Sequence, residues 1–173
     1  MNKAYSETAM NDTAKKVEMQ VVRYENESYF KIFNVDTIRP FLMSIVSDSN
    51  HWMFISSNGS LTAGRKNPEY ALFPYYTDDK ITESADITGS KSIFSIRHRD
   101  LVHIWEPFSE RFTGKFTISR NLYKSIYGNK IIFEEINHDL GLNFRVHWNS
   151  SKLYGFVRKA EIFNTSVNDY PIE

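Results

Sequence analysis

The chain has 173 residues, a length that suits one compact domain, and its 21 Lys plus Arg residues balance its 21 Asp plus Glu residues. This balance argues against binding of nucleic acid or of an anionic membrane, and the lack of cysteine excludes a disulfide framework and a thiolate metal site. Aromatic residues make up 15% of the chain and occur with Ile, Val and Thr in short runs, which favours β-sheet.

Residues 1–17 are polar and aperiodic, which predicts a flexible lead-in before one domain over 18–173. They lack the apolar core of a signal peptide, and no apolar run reaches the roughly 20 residues of a membrane-spanning helix. The sequence therefore predicts a cytoplasmic protein with no membrane partner.

Ten runs with strand composition follow, the first four bounded by Asn, Asp, Ser or Pro. They cover residues 18–24, 28–35, 40–47, 51–57, 91–98, 101–108, 114–127, 130–138, 141–149 and 154–166. Gly128-Asn129 and Asp139–Gly141 stand where tight turns are needed between the last runs. Because no apolar spacing of 3.6 persists for three turns, any helix is short. The pattern predicts an all-β fold of consecutive antiparallel hairpins, an antiparallel β-sandwich.

Residues 142–148 carry the clearest alternation in the chain. The apolar positions Leu142, Phe144, Val146 and Trp148 alternate with Asn143, Arg145 and His147. This period of two predicts a strand that buries the first set. The final run stops without a polar tail, so we expect an incomplete sandwich with an unpaired edge, as in part of a longer chain.

Catalytic and metal signals are weak. The histidines at 51, 98, 103, 138 and 147 are scattered, and there is no Gly-x-Ser-x-Gly elbow or phosphate loop, so we predict no metal site and no cofactor. His98 and His103 would lie on opposite faces of a continuous strand. Glu134 and Glu135 would also point to opposite faces, which prevents them from flanking one sugar bond. A tight turn at Asp139–Gly141 would place Glu135 opposite Arg145, as an exposed pair.

Residues 57–80 are rich in turn formers and aromatics, which predicts a shaped recognition loop. Asn58 and Gly59 would turn the chain out of a strand, and Gly64 would let it double back. Arg65 would then fork onto Asp78 or Asp79. The alternative is that Arg65 points to water, that Tyr75 and Tyr76 pack on the sheet, and that the acidic pair only forms a turn.

An aromatic set with the chemistry of sugar contact comprises Trp52, Tyr70, Phe73, Tyr75, Tyr76 and Trp105. Trp52 and Trp105 lie in strand runs and suit a core, whereas Tyr75 and Tyr76 suit a surface. The candidate residues for contact with a substrate or an interface are therefore Asn58, Arg65, Tyr75, Tyr76, Asp78 and Asp79.

The stretches SSNGSLTAGR and FPYYTDDK, with HIWEPF and RNLYKSIYGNKIIFEEINHDLGLNFRVHW, carry a resemblance that covers nearly everything after residue 20. The chain resembles the N-terminal region of large bacterial cellobiose-phosphorylase-like proteins and, more distantly, the N-terminal β domain of glycoside phosphorylases of the cellobiose and chitobiose type. The resemblance implies a galactose-mutarotase-like super-sandwich that packs on an α/α-toroid catalytic domain. It also implies that the catalytic carboxylate and the phosphate-binding residues lie in that toroid.

The resemblance therefore predicts a non-catalytic domain of a carbohydrate-active enzyme, a glycoside phosphorylase or hydrolase. Such a domain would pack on its own catalytic domain and contribute a loop to the substrate cleft or to a subunit interface, including that of a homo-oligomer. A free-standing carbohydrate-binding module is the alternative.

Overall fold

The computed structural model describes residues 15–72, 78–98, 101–167, 169 and 171–173, with the backbone alone at 78, 79 and 98. The strands in this part of the chain are β1 (Glu18–Tyr24), β2 (Glu27–Phe33), β3 (Leu42–Ile45), β4 (His51–Ser56), β5 (Leu61–Arg65), β6 (Phe94–His98), β7 (Leu101–Trp105), β8 (Ile118–Ser125), β9 (Lys130–Asn137), β10 (Leu142–Ser151) and β11 (Gly155–Asn164). Within these ranges, one helix, α1 (Asp78–Glu83), and 3₁₀ turns at Val35–Thr37 and Pro68–Tyr70 complete the regular structure. The predicted lead-in lies, up to residue 14, outside the described residues.

The strands form an all-β, sandwich-like fold, as predicted. Six strands make one antiparallel sheet in the order β1-β2-β8-β9-β10-β11, three make a second sheet in the order β3-β4-β5, and β6 pairs with β7. One apolar core joins all three sheets, so the two smaller sheets cover one face of the large one. We call that covered side the inner face and the opposite side the outer face.

The inner face of β10 confirms the alternation in the sequence. Leu142, Phe144, Val146 and Trp148 are all buried in this core. Phe144 contacts the rings of Phe94 and Trp105 from the β6–β7 pair, with centroids 5.0 and 6.3 Å away. Trp105 is therefore a core residue, as its strand context predicted.

Each of the ten predicted runs overlaps one strand, but β5 lies inside the segment predicted to be a loop. Residues 57–80 are not a single loop, because Leu61–Arg65 pairs with β4 and α1 begins at residue 78. The predicted turn at Asn58 and Gly59 is confirmed, with a Gly59 φ of 91°.

Gly64 does not double the chain back, because it lies within β5 opposite Trp52. Its lack of a side chain has another reason. A Cβ at Gly64 would lie 2.5 Å from Cζ2 of Trp52 and 2.6 Å from the carbonyl oxygen of Tyr70. Glycine is needed here so that the indole ring and the returning chain can pack directly on the strand.

The histidines of the β6–β7 pair also differ from expectation. His98 and His103 are on two different strands of a hairpin rather than on one continuous strand, since His98 pairs with Leu101 and His103 with Ile96. No helix in the described ranges is long and apolar enough to cross a membrane.

Candidate functional site

Three cavities share Asn58 and Phe108 as lining residues. Their volumes are about 110, 220 and 40 Å³. The two larger ones also share Pro40 and Glu110, and we call these two together the Asn58–Phe108 cleft. A concave site with an apolar floor and a few polar groups is the usual form of a ligand-binding site.

Asn58 is placed by the tight turn between β4 and β5. Its Nδ2 donates to the carbonyl oxygen of Thr82 at 2.8 Å, which ties the turn to α1. Its Oδ1 accepts from the backbone N–H of Ser60 at 3.3 Å and from the hydroxyl of Ser60 at 2.9 Å. The amide is therefore held rigidly at the edge of the cleft.

Phe108 provides the apolar floor and has an uncommon backbone. Its φ of 65° lies in the left-handed region, where a bulky side chain is strained. Its ring lies 6.2 Å from the Phe133 ring and 6.0 Å from the Phe144 ring, measured between centroids. Strain of this kind is found at functional sites more often than elsewhere, provided that surrounding contacts maintain it.

Glu135 maintains the Phe108 conformation from the inner face of β9. Oε2 of Glu135 accepts from the backbone N–H of Phe108 at 2.7 Å and from Nε of Arg120 at 2.8 Å. Oε1 accepts from Nε1 of Trp105 at 2.8 Å. Arg120 also donates to the carbonyl oxygen of Ser109 at 2.9 Å. A buried ion pair thus fixes the connection that carries Phe108.

The rim of the cleft is acidic. Its carboxylates come from three connections and belong to Asp36, Glu83, Asp86 and Glu110. Lys91 pairs with Asp86 at 3.0 Å and, through this bond, lowers the Asp86 pKa. Asp36 and Glu110 are exposed, and Arg120 bonds inward to Glu135. The residues that line the cleft therefore include carboxylates, an amide and an aromatic ring.

The structure confirms that Glu134 and Glu135 lie on opposite faces, but it corrects their pairing. Arg145 is the register partner of Glu134, not of Glu135, and its Nη2 lies 2.7 Å from Oε1 of Glu134. The turn takes four residues rather than three, since Leu142 pairs with Asn137. The predicted exposed pair is also wrong in burial, because both glutamates are at most 2% exposed.

Glu134 is the centre of a polar cluster on the outer face of the large sheet. Nδ2 of Asn121 and the hydroxyl of Tyr123 donate to Oε2 at 2.7 and 2.9 Å, and Nδ2 of Asn143 donates to Oε1 at 3.0 Å. Burial alone would raise the pKa of Glu134, but the two asparagine bonds and Arg145 outweigh it and lower the pKa to about 2. This carboxylate is therefore ionised at neutral pH.

The predicted site residues are only partly brought together. Asn58 lines the cleft, whereas Arg65 ends β5 opposite His51 and does not line it. Tyr75 and Tyr76 lie outside the described residues. Of Asp78 and Asp79 only the backbone is described, at the start of α1, so the predicted contact with Arg65 stays a prediction.

Sequence patterns missed Phe108, Asp36 and Glu110 as members of the cleft. Asp36 and Glu110 come from connections, where no periodic signal marks them. Phe108 ended the predicted run 101–108, but β7 ends at Trp105 and Phe108 lies in the connection that follows. In the described ranges, no group of three or more histidine or acidic side chains could hold a metal ion.

No family model and no curated protein matches this sequence. The resemblance to cellobiose-phosphorylase-like proteins therefore stays a prediction.

Proposed function

We propose that this chain is a non-catalytic β-sandwich domain of a cytoplasmic carbohydrate-active protein, and that its Asn58–Phe108 cleft binds sugar. The observation that carries the proposal is that a fixed amide, exposed carboxylates and a strained, partly buried phenylalanine line one cavity. An aromatic ring covers the apolar face of a pyranose, while amides and carboxylates take its hydroxyls.

The cleft has room for a small ligand. Its two cavities, of about 110 and 220 Å³, are each below the roughly 300 Å³ of a typical drug-sized pocket. We therefore expect one sugar residue to occupy the cleft, with Asn58 and Glu110 bonding its hydroxyls and Phe108 packing against its ring. The acidic rim favours a neutral or cationic sugar over an anionic one.

The buried glutamates support a non-catalytic role. A glycosidase pair faces one cleft with its carboxyl groups about 5–9.5 Å apart, whereas Glu134 and Glu135 lie on opposite faces of β9. The pKa of Glu134 is lowered to about 2, so its carboxyl group carries no proton at neutral pH and does not suit the role of a general acid. Glu135 is committed to Phe108, Trp105 and Arg120.

A second candidate function is packing on a neighbouring catalytic domain. The outward side of the β6–β7 pair exposes Val102 by 57% and Ile104 by 37%, and Leu101 beside them is 62% exposed. Neighbouring apolar residues with such exposure often mark contact surfaces. This observation favours a domain interface independently of the cleft.

Calorimetric titration separates the two candidates. We expect saturable heat with one of glucose, cellobiose or N,N′-diacetylchitobiose, and weaker binding in Asp36→Asn and Glu110→Gln. Glu69→Gln, on the exposed 3₁₀ turn away from the cleft, is the matched control and should bind as the unmodified chain does. An absence of heat with all three sugars would contradict the sugar proposal. A Val102→Asp variant that lost self-association or domain binding would then favour the second candidate.

A further inference from the structure

Arg158 is a cation on the inner face of the large sheet, in β11 opposite Trp148. Its Nη2 donates to the hydroxyl of Ser92 at 3.0 Å, and its buried Nε has no hydrogen-bond partner. In the part of the chain that the structure describes, no carboxylate forms an ion pair with Arg158. Arg120, which also lies on the inner face, has Glu135 as its counter-ion.

A half-buried guanidinium without a counter-ion is energetically unfavourable. Burial lowers the pKa of Arg158 from its ordinary value, but a guanidinium remains charged at neutral pH. Such a cation is stabilised when an anion supplies the missing acceptors. The uncompensated charge of Arg158 therefore favours the binding of an anion beside it.

Arg158 lines the third cavity, of about 40 Å³. Its polar lining residues come mainly from the loop before β6 and are Thr88, Ser90, Lys91 and Ser92. Its apolar lining includes Phe144 and Trp148. The cavity thus combines one unpaired arginine with hydroxyls and a second cation, although Lys91 also bonds Asp86.

We propose that this cavity binds a small oxyanion of the phosphate type, free or as the phosphate group of an ester. The Arg158 fork would donate to two of its oxygens, and the hydroxyls of Ser90 and Ser92 would donate to the others. The size agrees, since 40 Å³ is about the room of three water molecules. This site is separate from the proposed sugar contact, although Asn58 and Phe108 line both cavities.

An anion titration tests the proposal on the whole chain. Sodium phosphate, glucose 6-phosphate and sodium acetate are added at constant ionic strength with chloride as the background salt. We follow the nitrogen-15 resonance of Arg158 Nε–H and the unfolding temperature. Phosphate should shift the Arg158 signal saturably, and acetate should bind at least about tenfold more weakly, because it offers fewer oxygens.

Comparison of glucose 6-phosphate with free phosphate distinguishes the two forms of the ligand. A tighter fit for glucose 6-phosphate than for free phosphate would assign the site to a phosphorylated sugar. The reverse order would assign it to the free ion. The result with free phosphate is independent of whether neutral sugars bind the cleft, so the failure of one proposal does not decide the other.

Variants that remove one positive charge each test whether Arg158 binds the phosphate. Arg158→Gln should abolish the increase in unfolding temperature with phosphate, and Ser92→Ala should weaken binding several-fold. Lys152→Gln removes the same charge from an exposed position and should leave binding unchanged. The proposal is wrong if the Arg158 signal of the unmodified chain does not saturate, or if Lys152→Gln weakens binding as much. The first readout needs no variant, so a folding defect of Arg158→Gln would not obscure the result.

Discussion

The backbone N–H of Phe108 donates a 2.7 Å hydrogen bond to Glu135, and Phe108 holds a φ of 65° at that point. A left-handed conformation costs an ordinary residue about 1–2 kcal/mol. The buried carboxylate therefore stabilises a backbone that the local sequence would not adopt alone. The position of Phe108 in the cleft therefore depends on a glutamate in β9 of the large sheet.

Glu135→Gln should lower the free energy of unfolding by about 3–5 kcal/mol, because it leaves Arg120 without a counter-ion in a largely buried position. Urea unfolding measures the loss of stability, and hydrogen exchange of the backbone amides in residues 105–110 should become faster. Glu69→Gln, which changes an exposed glutamate, should alter stability by less than about 0.5 kcal/mol. An equally small effect for Glu135→Gln would show that the ion pair does not hold the loop.

Stability should fall with acid in a window set by Glu134. Its folded pKa of about 2 is below the ordinary value of 4.5, so its contribution is complete above about pH 5 and is lost as the pH falls towards 2. The difference corresponds to about 3 kcal/mol. Urea unfolding at several pH values should show this decline. A curve for Glu134→Gln as steep as that of the unmodified chain would assign the acid sensitivity to other groups.

Gly64→Ala should destabilise the chain by about 1–3 kcal/mol, because the new methyl group overlaps the Trp52 ring and the Tyr70 carbonyl oxygen. Gly59→Ala separates the two causes, since a Cβ there meets nothing within 4 Å and its cost, about 1–2 kcal/mol, comes from the backbone alone. Thermal unfolding compares the two. If Gly64→Ala were neutral, the segment after β5 would not pack on the strand as described.

Trp148→Ala should cost about 3–5 kcal/mol, because its ring is 8% exposed and belongs to the apolar core. Tyr154→Ala removes a large ring that is 78% exposed and should change stability by less than about 0.5 kcal/mol. Chemical unfolding of both variants gives the comparison. Similar losses for the two would contradict the assignment of the buried face.

Sequence composition predicted ten of the strands, and alternation predicted the buried inner face of β10. β5 was missed because its sequence, LTAGR, has no period of two. Gly64 has to be small because Trp52 and Tyr70 pack against it. This is a tertiary contact, which the local sequence does not reveal. The Glu134–Arg145 register depends on a turn of four rather than three residues, a difference that the residues of the turn do not encode clearly.

The cleft could be predicted from the sequence only at Asn58, where the turn chemistry of Asn-Gly is local. Phe108, Asp36 and Glu110 reach the same place from two other connections. Their proximity depends on how the sheets stack. The spacing of residues along the sequence does not encode this proximity.

The most direct test of sugar binding at the cleft is a nuclear magnetic resonance titration with the sugar that gives the largest calorimetric heat. We predict saturable shifts of the Asn58 side-chain amide and of the Phe108 and Glu110 backbone amides, with binding about tenfold weaker in Glu110→Gln. Shifts confined to other surfaces, or no saturable shift up to roughly 10 mM sugar, a limit of about 3 kcal/mol of binding free energy, would contradict the proposed function.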